Sequence, residues 1–264
     1  MKPTPFQTVI NHLTRDQIPR VWSFLISVFG ELTQDTGARI SGNLLRHISE
    51  QVGIKPEAMR VAIHRLRKDG WIDSERHGRT STYFLTELGR SLSASASPRI
   101  YSADQAAETA CFAMFNPGQP IHHDDPLAVW VSSNVLITSA NLDAAQTFVC
   151  AIHEDTFMPE WMTTKICDEK IVEMSALFAA QLADIKPHID GAPDLGILEV
   201  AALRVLLIHN WRRIVLKTPL LPDHVFPSHW QGPRCREMVS QLLHKYPRPK
   251  LDELEAFIAT DPVQ

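Results

Sequence analysis

The stretch PEAMRVAIHRLRKDGWIDSERHGRTSTYFLT, residues 56–86, decides how this chain is read. Pro56 stands where a first-turn proline belongs and Glu57 suits the positive end of a helix, so a helix opens here and runs to Asp69 before Gly70 stops it. Met59, Ala62, Ile63 and Leu66 fall on one face of that helix. Arg60, His64, Arg67 and Lys68 are left pointing outward or flanking, with Arg65 near the boundary. Trp71-Ile72 then begins a strand, and Thr80 to Leu85 is rich in β-branched and aromatic residues. Between them, Glu75-Arg76-His77-Gly78-Arg79 makes a glycine-centred hairpin tip.

Working outward from this stretch, Ser41 caps a short amphipathic helix with apolar residues at 44, 45, 48 and 52, and Gly53 ends it. Upstream, RVWSFLISVF at residues 20–29 reads as a core helix preceded by a proline-containing arm. Helix, tight glycine turn, helix and basic hairpin together describe a winged helix-turn-helix. Downstream, Thr86 caps a further helix start, and the small-residue run Ser91 to Pro98 reads as a hinge.

Beyond Tyr101 the pattern changes. A helix is expected from Asp104 to Met114, a Pro/Gly/His-rich loop from Asn116 to Pro126, and strands at 127–131, 134–138 and 147–152, making a small mixed α/β unit. From about Met162 the chain reads as helical, over 164–186, 195–213 and 233–245, with Pro219, Pro222 and Pro227 interrupting between the last two.

Charge divides along the same line. Residues 1–101 hold 14 Lys and Arg against 9 Asp and Glu, while residues 102–264 hold 12 against 21, so the formal charge of −4 joins a basic part to an acidic one. A basic part of this kind hints at nucleic acid, and the acidic balance keeps the rest of the chain off it. The richest apolar stretch, Ile197 to Ile208, is broken by Glu199 and Arg204, and Met1-Lys2-Pro3-Thr4-Pro5 lacks a signal-peptide core, so a cytoplasmic, membrane-free protein is expected. Cys111, Cys150, Cys167 and Cys235 are widely spaced, which reads as free thiols.

Arginines and a histidine opposite an apolar face suit a recognition helix in the major groove, where arginine reads guanine through two hydrogen bonds. The candidate DNA-binding residues are therefore Arg60, His64, Arg65, Arg67 and Lys68, with Arg76 and Arg79 at the hairpin placed for phosphates or the minor groove. His122, His123 and Asp125 are the best metal candidates, for a metal-dependent hydrolase or metal sensor, with Cys150 and Cys167 as redox alternatives. Adjacent loop residues do not readily converge on one ion, however, and neither a catalytic motif nor a cofactor fingerprint occurs, so no enzyme and no cofactor is expected.

The run Met59 to Ile72, then Gly78 to Thr86 with Gly89, then Arg99-Ile100-Tyr101, resembles the PaaX family of phenylacetate-catabolism repressors. A second block is similar too: Trp211-Arg212-Arg213-Ile214-Val215-Leu216, Pro219-Leu220-Leu221-Pro222 and PSHWQG at 227–232. The resemblance implies an α+β protein in three parts: an N-terminal winged helix-turn-helix (1–101), a small ferredoxin-like middle domain (102–161) and a helical C-terminal domain (162–264). It also implies a homodimeric repressor that leaves operator DNA when an aryl-acyl-CoA, typically phenylacetyl-CoA, binds. It sets Arg60, Arg65, Arg67, Gly78 and Arg79 at DNA-facing or wing positions. Ser102 to Ala106 departs from the family's strand-and-tryptophan pattern. Trp211, Arg212 and Arg213 are the candidate effector contacts, by stacking and charge-assisted bonds to phosphate.

Overall fold

Thr4 opens the first helix, α1 (Pro5–Thr14): its hydroxyl accepts from the Gln7 amide and the Gln7 side-chain oxygen accepts from the Thr4 N–H, each at 3.1 Å. The computed structural model describes residues 3–15, 19–78, 80–102, 107–116, 127–140, 147–190 and 194–260. The proline-containing arm of the sequence reading is thus a helix. Phe6, Val9, Ile10 and Leu13 form its buried stripe, and Pro5 marks its first turn.

The core helix expected at 20–29 is α2 (Val21–Leu32), with Phe24, Leu25, Val28 and Phe29 fully buried. A two-residue strand, β1 (Ile40–Ser41), leads into α3 (Gly42–Gln51), where the Ser41 hydroxyl accepts from the Leu44 N–H at 3.0 Å. Then come α4 (Pro56–Lys68), β2 (Ile72–His77) and β3 (Thr80–Leu85). β1, β3 and β2 form a three-stranded antiparallel sheet in that order. The close of α4 is a Schellman turn: Gly70 takes φ +73° and the Trp71 N–H reaches back to the Leu66 carbonyl at 2.9 Å.

Thr86 caps α5 (Glu87–Tyr101), which runs unbroken through the small-residue segment read as a hinge. The serines there bond back along the helix, as Ser97 does to the Ser93 carbonyl at 2.8 Å, and their size lets α5 lie close to its neighbours. Gly89 is required where α5 begins, since a Cβ would overlap the Trp71 carbonyl.

The helix expected over 104–114 is corrected to a strand within its described part: β4 (Ala110–Phe115) pairs with β6 (Val135–Thr138) on one side and β7 (Thr147–Ile152) on the other. Pairing on both edges of an apolar six-residue run outweighs local helical preference. With β5 (Ala128–Trp130) the second antiparallel sheet has the order β5-β6-β4-β7.

The remainder is helical: α6 (Glu160–Ile166), α7 (Glu169–Asp190), α8 (Ile197–Val215), α9 (Gly232–Lys245) and α10 (Leu251–Thr260). The single helix expected over 164–186 is two, because the Asp168 carboxylate accepts from the Lys170 N–H at 2.8 Å and starts a new one. The fold is α+β, with ten α-helices and two small sheets among the described residues. Its centre is α8, whose residues Ala201 to Leu203 and Val205 to Leu207 are wholly buried and which packs against α1, α2, α3, α5, α7 and α9. None of the described helices is long and apolar enough to cross a membrane.

Candidate nucleic-acid interface

α4 is held from behind. Met59, Ala62, Ile63 and Leu66 are buried, and α2 and α3 pack against it. On the other side Arg60, Val61, His64, Arg65, Arg67 and Lys68 all face solvent. Each of three arginines holds an acidic neighbour across the surface: Arg60 with Glu57 at 3.7 Å, Arg65 with Asp69 at 3.5 Å and Arg67 with Asp73 at 3.8 Å. Arg65 also lies over the Trp22 ring of α2, 4.9 Å from its centroid, which steadies its stem against the helix behind. His64 and Lys68 sit one turn apart on the same exposed stripe.

Val61 is the residue the sequence reading missed. It is 72% exposed in the middle of this basic face, between Arg60 and His64. Its signal was an apolar residue off the Met59, Ala62, Ile63 and Leu66 stripe, with no core to join. A methyl-bearing side chain in such a position can meet a thymine methyl group.

In the hairpin His77 faces Thr80, so the loop has two residues, and Gly78 at φ +62° supplies the left-handed backbone such a loop demands. Arg76 is exposed at the tip, with its Nε donating to the Gly78 carbonyl at 3.1 Å. Arg79 lies outside the described residues. At the base, Arg39 forms a two-pronged pair with Glu75 at 2.7 and 3.1 Å and lies over the Phe84 ring, which braces β2 against the approach to β1.

The three residues expected at an effector site are placed apart. Trp211 is 1% exposed and belongs to the core of α8. Arg212 lines a recess between α2, α5 and α8, while Arg213 lines a separate one against α7. Beside them, burial and the charges of Arg212 and Arg213 hold the His209 imidazole down to about 3. A second buried group joins distant segments: Glu31 of α2 accepts from the Arg204 Nε of α8 at 2.6 Å and from the Tyr101 hydroxyl at the end of α5 at 2.5 Å.

Comparison with known proteins finds a match towards each end of the chain. The profile of the PaaX-like protein family matches residues 20–89, and that of the PaaX-like protein C-terminal domain matches residues 169–254. The chain is 25% identical over 250 aligned residues to the transcriptional repressor PaaX of Escherichia coli (strain K12), covering 84% of this chain and 79% of that protein. The chain belongs to the PaaX family. The first PaaX match spans α2 to the opening of α5 and so holds the whole of α4 and its hairpin, while the second spans α7 to the first turn of α10.

The PSHWQG motif of the PaaX C-terminal match has a packing origin. Trp230 stacks on Phe226, with ring centroids 5.2 Å apart, and a Cβ at position 232 would overlap the indole, so glycine is required there. The metal candidates His122, His123 and Asp125 lie outside the described residues, among which no group of three or more His, Cys, Asp or Glu side chains is placed to hold a metal ion. Cys150 is exposed on β7, whereas Cys167 is buried, and its thiol is pushed up to about 12 by burial and the Asp168 charge. That environment makes Cys167 a poor thiolate.

Proposed function

We propose that this chain is a DNA-binding transcriptional repressor of phenylacetate or related aromatic-acid catabolism, released from its operator by an aryl-acyl-CoA effector. The observation that carries the reading is the exposed face of α4, where five cationic or titratable side chains surround Val61 opposite a fully buried apolar stripe. The order α2, α3, α4 and then the β2–β3 hairpin supports a winged helix-turn-helix in which α4 is the recognition helix and the hairpin is the wing. Arg60, His64, Arg65, Arg67 and Lys68 enter the major groove, and Arg76 and Arg79 contact phosphates. On binding, the exposed pairs to Glu57, Asp69 and Asp73 are exchanged for base edges or phosphates. The exchange is easily made, because exposed ion pairs contribute only about 0–1 kcal/mol.

The rest of the chain follows the same reading. In the second sheet the β4-to-β5 and β6-to-β7 connections each skip one strand and join parallel neighbours-but-one, and this strand order and orientation support a ferredoxin-like unit within residues 102–161. Residues 1–101 and 162–264 are the DNA-binding and helical units. Homodimerisation matches a two-fold operator, and the uncharged, exposed strand β7, with Phe148 67% exposed, supports it as a contact surface. The protein acts in the cytoplasm and is not an enzyme; the metal-dependent alternative gains no support among the described residues. Of the three effector candidates, Arg212 and Arg213 each line a recess, whereas Trp211 is enclosed in the core.

The test is fluorescence anisotropy on duplex DNA from upstream of the protein's own gene against random duplex, over a salt series, with and without phenylacetyl-CoA. The reading expects nanomolar, sequence-selective binding with a steep salt slope, weakened by the acyl-CoA. Equal affinity for both duplexes defeats it.

A further inference from the structure

The recess between α2, α5 and α8 has a volume of about 170 Å3. Its floor is buried, at Ser27 and Ile208, and its rim is open at Leu92. The space exists because Ser93 and Ala96 of α5 are small, in the very segment whose composition had suggested a hinge. Most of its lining is apolar, with one full charge, Arg212.

That charge is poorly matched. The Arg212 Nη2 donates to the carbonyl and hydroxyl of Ser23 at 2.9 and 2.8 Å, while its Nε is buried and has no hydrogen-bond partner. The neighbouring charge that bears on it is another cation, Arg213; together with burial this brings the Arg212 guanidinium down to about 10. Glu31 lies on the same helix as Ser27, but its carboxylate is committed to Arg204 and Tyr101. A largely buried cation without a carboxylate is a costly arrangement, and an anionic ligand would relieve it.

We propose that this recess is a binding site for a compact carboxylic acid, with a body about the size of a benzene ring seated over Ile208 and its carboxylate on Arg212. The volume fits: an apolar cavity of about 150 Å3 accepts benzene. The charge fits as well, since a guanidinium and a carboxylate form the stronger, charge-assisted hydrogen bonds. A CoA thioester does not belong here, because thioesterification removes the carboxylate and adds a nucleotide far larger than the recess. The site is therefore chemically distinct from that of the acyl-CoA effector. Its regulatory consequence rests on the repressor reading: α2 backs α4 and α5 follows the hairpin, so an acid bracing α2 and α5 against α8 fixes how α4 is presented to DNA.

The experiment is isothermal titration of the full chain with benzoate, cyclohexanecarboxylate and benzamide, repeated on Arg212→Met and on Ala96→Leu, which narrows the recess and leaves the cation in place. Both acids are expected to bind at least tenfold more tightly than the amide. Ala96→Leu abolishes binding, and Arg212→Met brings the acids to the level of the amide. Should Arg212→Met fail to fold, the acid-to-amide ratio and Ala96→Leu decide alone. Equal binding of acid and amide, undiminished binding to Ala96→Leu, no binding of either acid at millimolar concentration, or binding of benzoyl-CoA in place of benzoate each overturns the proposal. Anisotropy on the upstream duplex with saturating benzoate reads the coupling separately. Loss of selective DNA binding in every condition breaks the repressor reading and leaves the calorimetric result standing.

Discussion

Arginine plays opposite parts on α4 and on α8. On α4, Arg60, Arg65 and Arg67 stand in solvent beside acidic neighbours at 3.5–3.8 Å, and the scaffold beneath them is complete without them. On α8, Arg204 is 7% exposed and holds Glu31, 1% exposed, at 2.6 Å while also donating to the carbonyls of Leu243 and Tyr246. The first set is free to trade partners, whereas the second fixes where α2, α5, α8 and α9 meet. The same residue type thus supports recognition where water screens it and architecture where water is excluded.

The sharpest way to break that contrast is to remove one partner of the buried pair. Arg204→Met leaves the Glu31 carboxylate buried beside Tyr101 alone and is expected to cost about 3–5 kcal/mol in urea unfolding. A double variant, Arg204→Met with Glu31→Leu, is expected to recover most of the loss, because no uncompensated charge remains. A loss below 1 kcal/mol in the single variant would mean that α8 is not anchored through this pair.

Removal of an exposed arginine has the reverse profile. Arg60→Ala is expected to leave stability within about 0.5 kcal/mol of the parent and to weaken operator binding by about 1–3 kcal/mol, with a smaller effect on random duplex. Arg79→Ala, which the proposed function sets on phosphates, is expected to weaken both duplexes alike and to lower the salt slope by about one. Equal losses on both duplexes for Arg60 would remove it from base contact.

Much of the α4 region was legible in the sequence, because local signals agree there: Pro56, the Met59 to Leu66 stripe, Gly70 and the Gly78 loop each specify the same backbone. The expectations failed where tertiary contacts decide. The segment read as an arm is α1, whose apolar stripe finds its burial against α7 and α8, more than 150 residues away. The small-residue run Ser91 to Pro98 within α5 has hinge-like composition, yet becomes helix once α2 and α8 need close neighbours. β4 reads equally well as helix until β6 and β7 flank it. For the sites the division is the same: an exposed cation announces itself by standing opposite an apolar face, whereas Arg204 and Arg212 meet their partners Glu31 and Ser23 on α2, more than 150 residues away, and no local pattern names those partners.

Acid titration sharpens the contrast through His209, which is wholly buried and packs edge-on to Phe24 at 5.9 Å. Its folded value of about 3 lies below the ordinary 6.5, so between those limits the unfolded chain takes up a proton that the folded chain refuses. Stability from this residue is full above pH 6.5 and is lost as pH falls toward 3, with a slope of at most about 1.4 kcal/mol per pH unit. His209→Leu is expected to remove about one proton from the acid limb of a stability-against-pH curve. An unchanged limb would mean that the imidazole is hydrated in the folded state.

The smallest effect tests how freely the exposed pairs exchange. Glu57→Gln removes the acid that meets Arg60 at 3.7 Å, with both side chains more than two-thirds exposed. Stability is expected to change by less than about 0.5 kcal/mol, since pairs of this kind contribute little and Gln keeps the shape. DNA affinity is expected to rise, because one negative charge leaves the face that approaches the phosphates and Arg60 no longer has a competing acceptor. The gain should shrink as salt is added, for it is a screened interaction between exposed charges. Lower affinity after Glu57→Gln would show instead that the acid holds Arg60 in its reading position or itself accepts from a cytosine amino group, and α4 would then be a pre-organised surface and not an adaptable one.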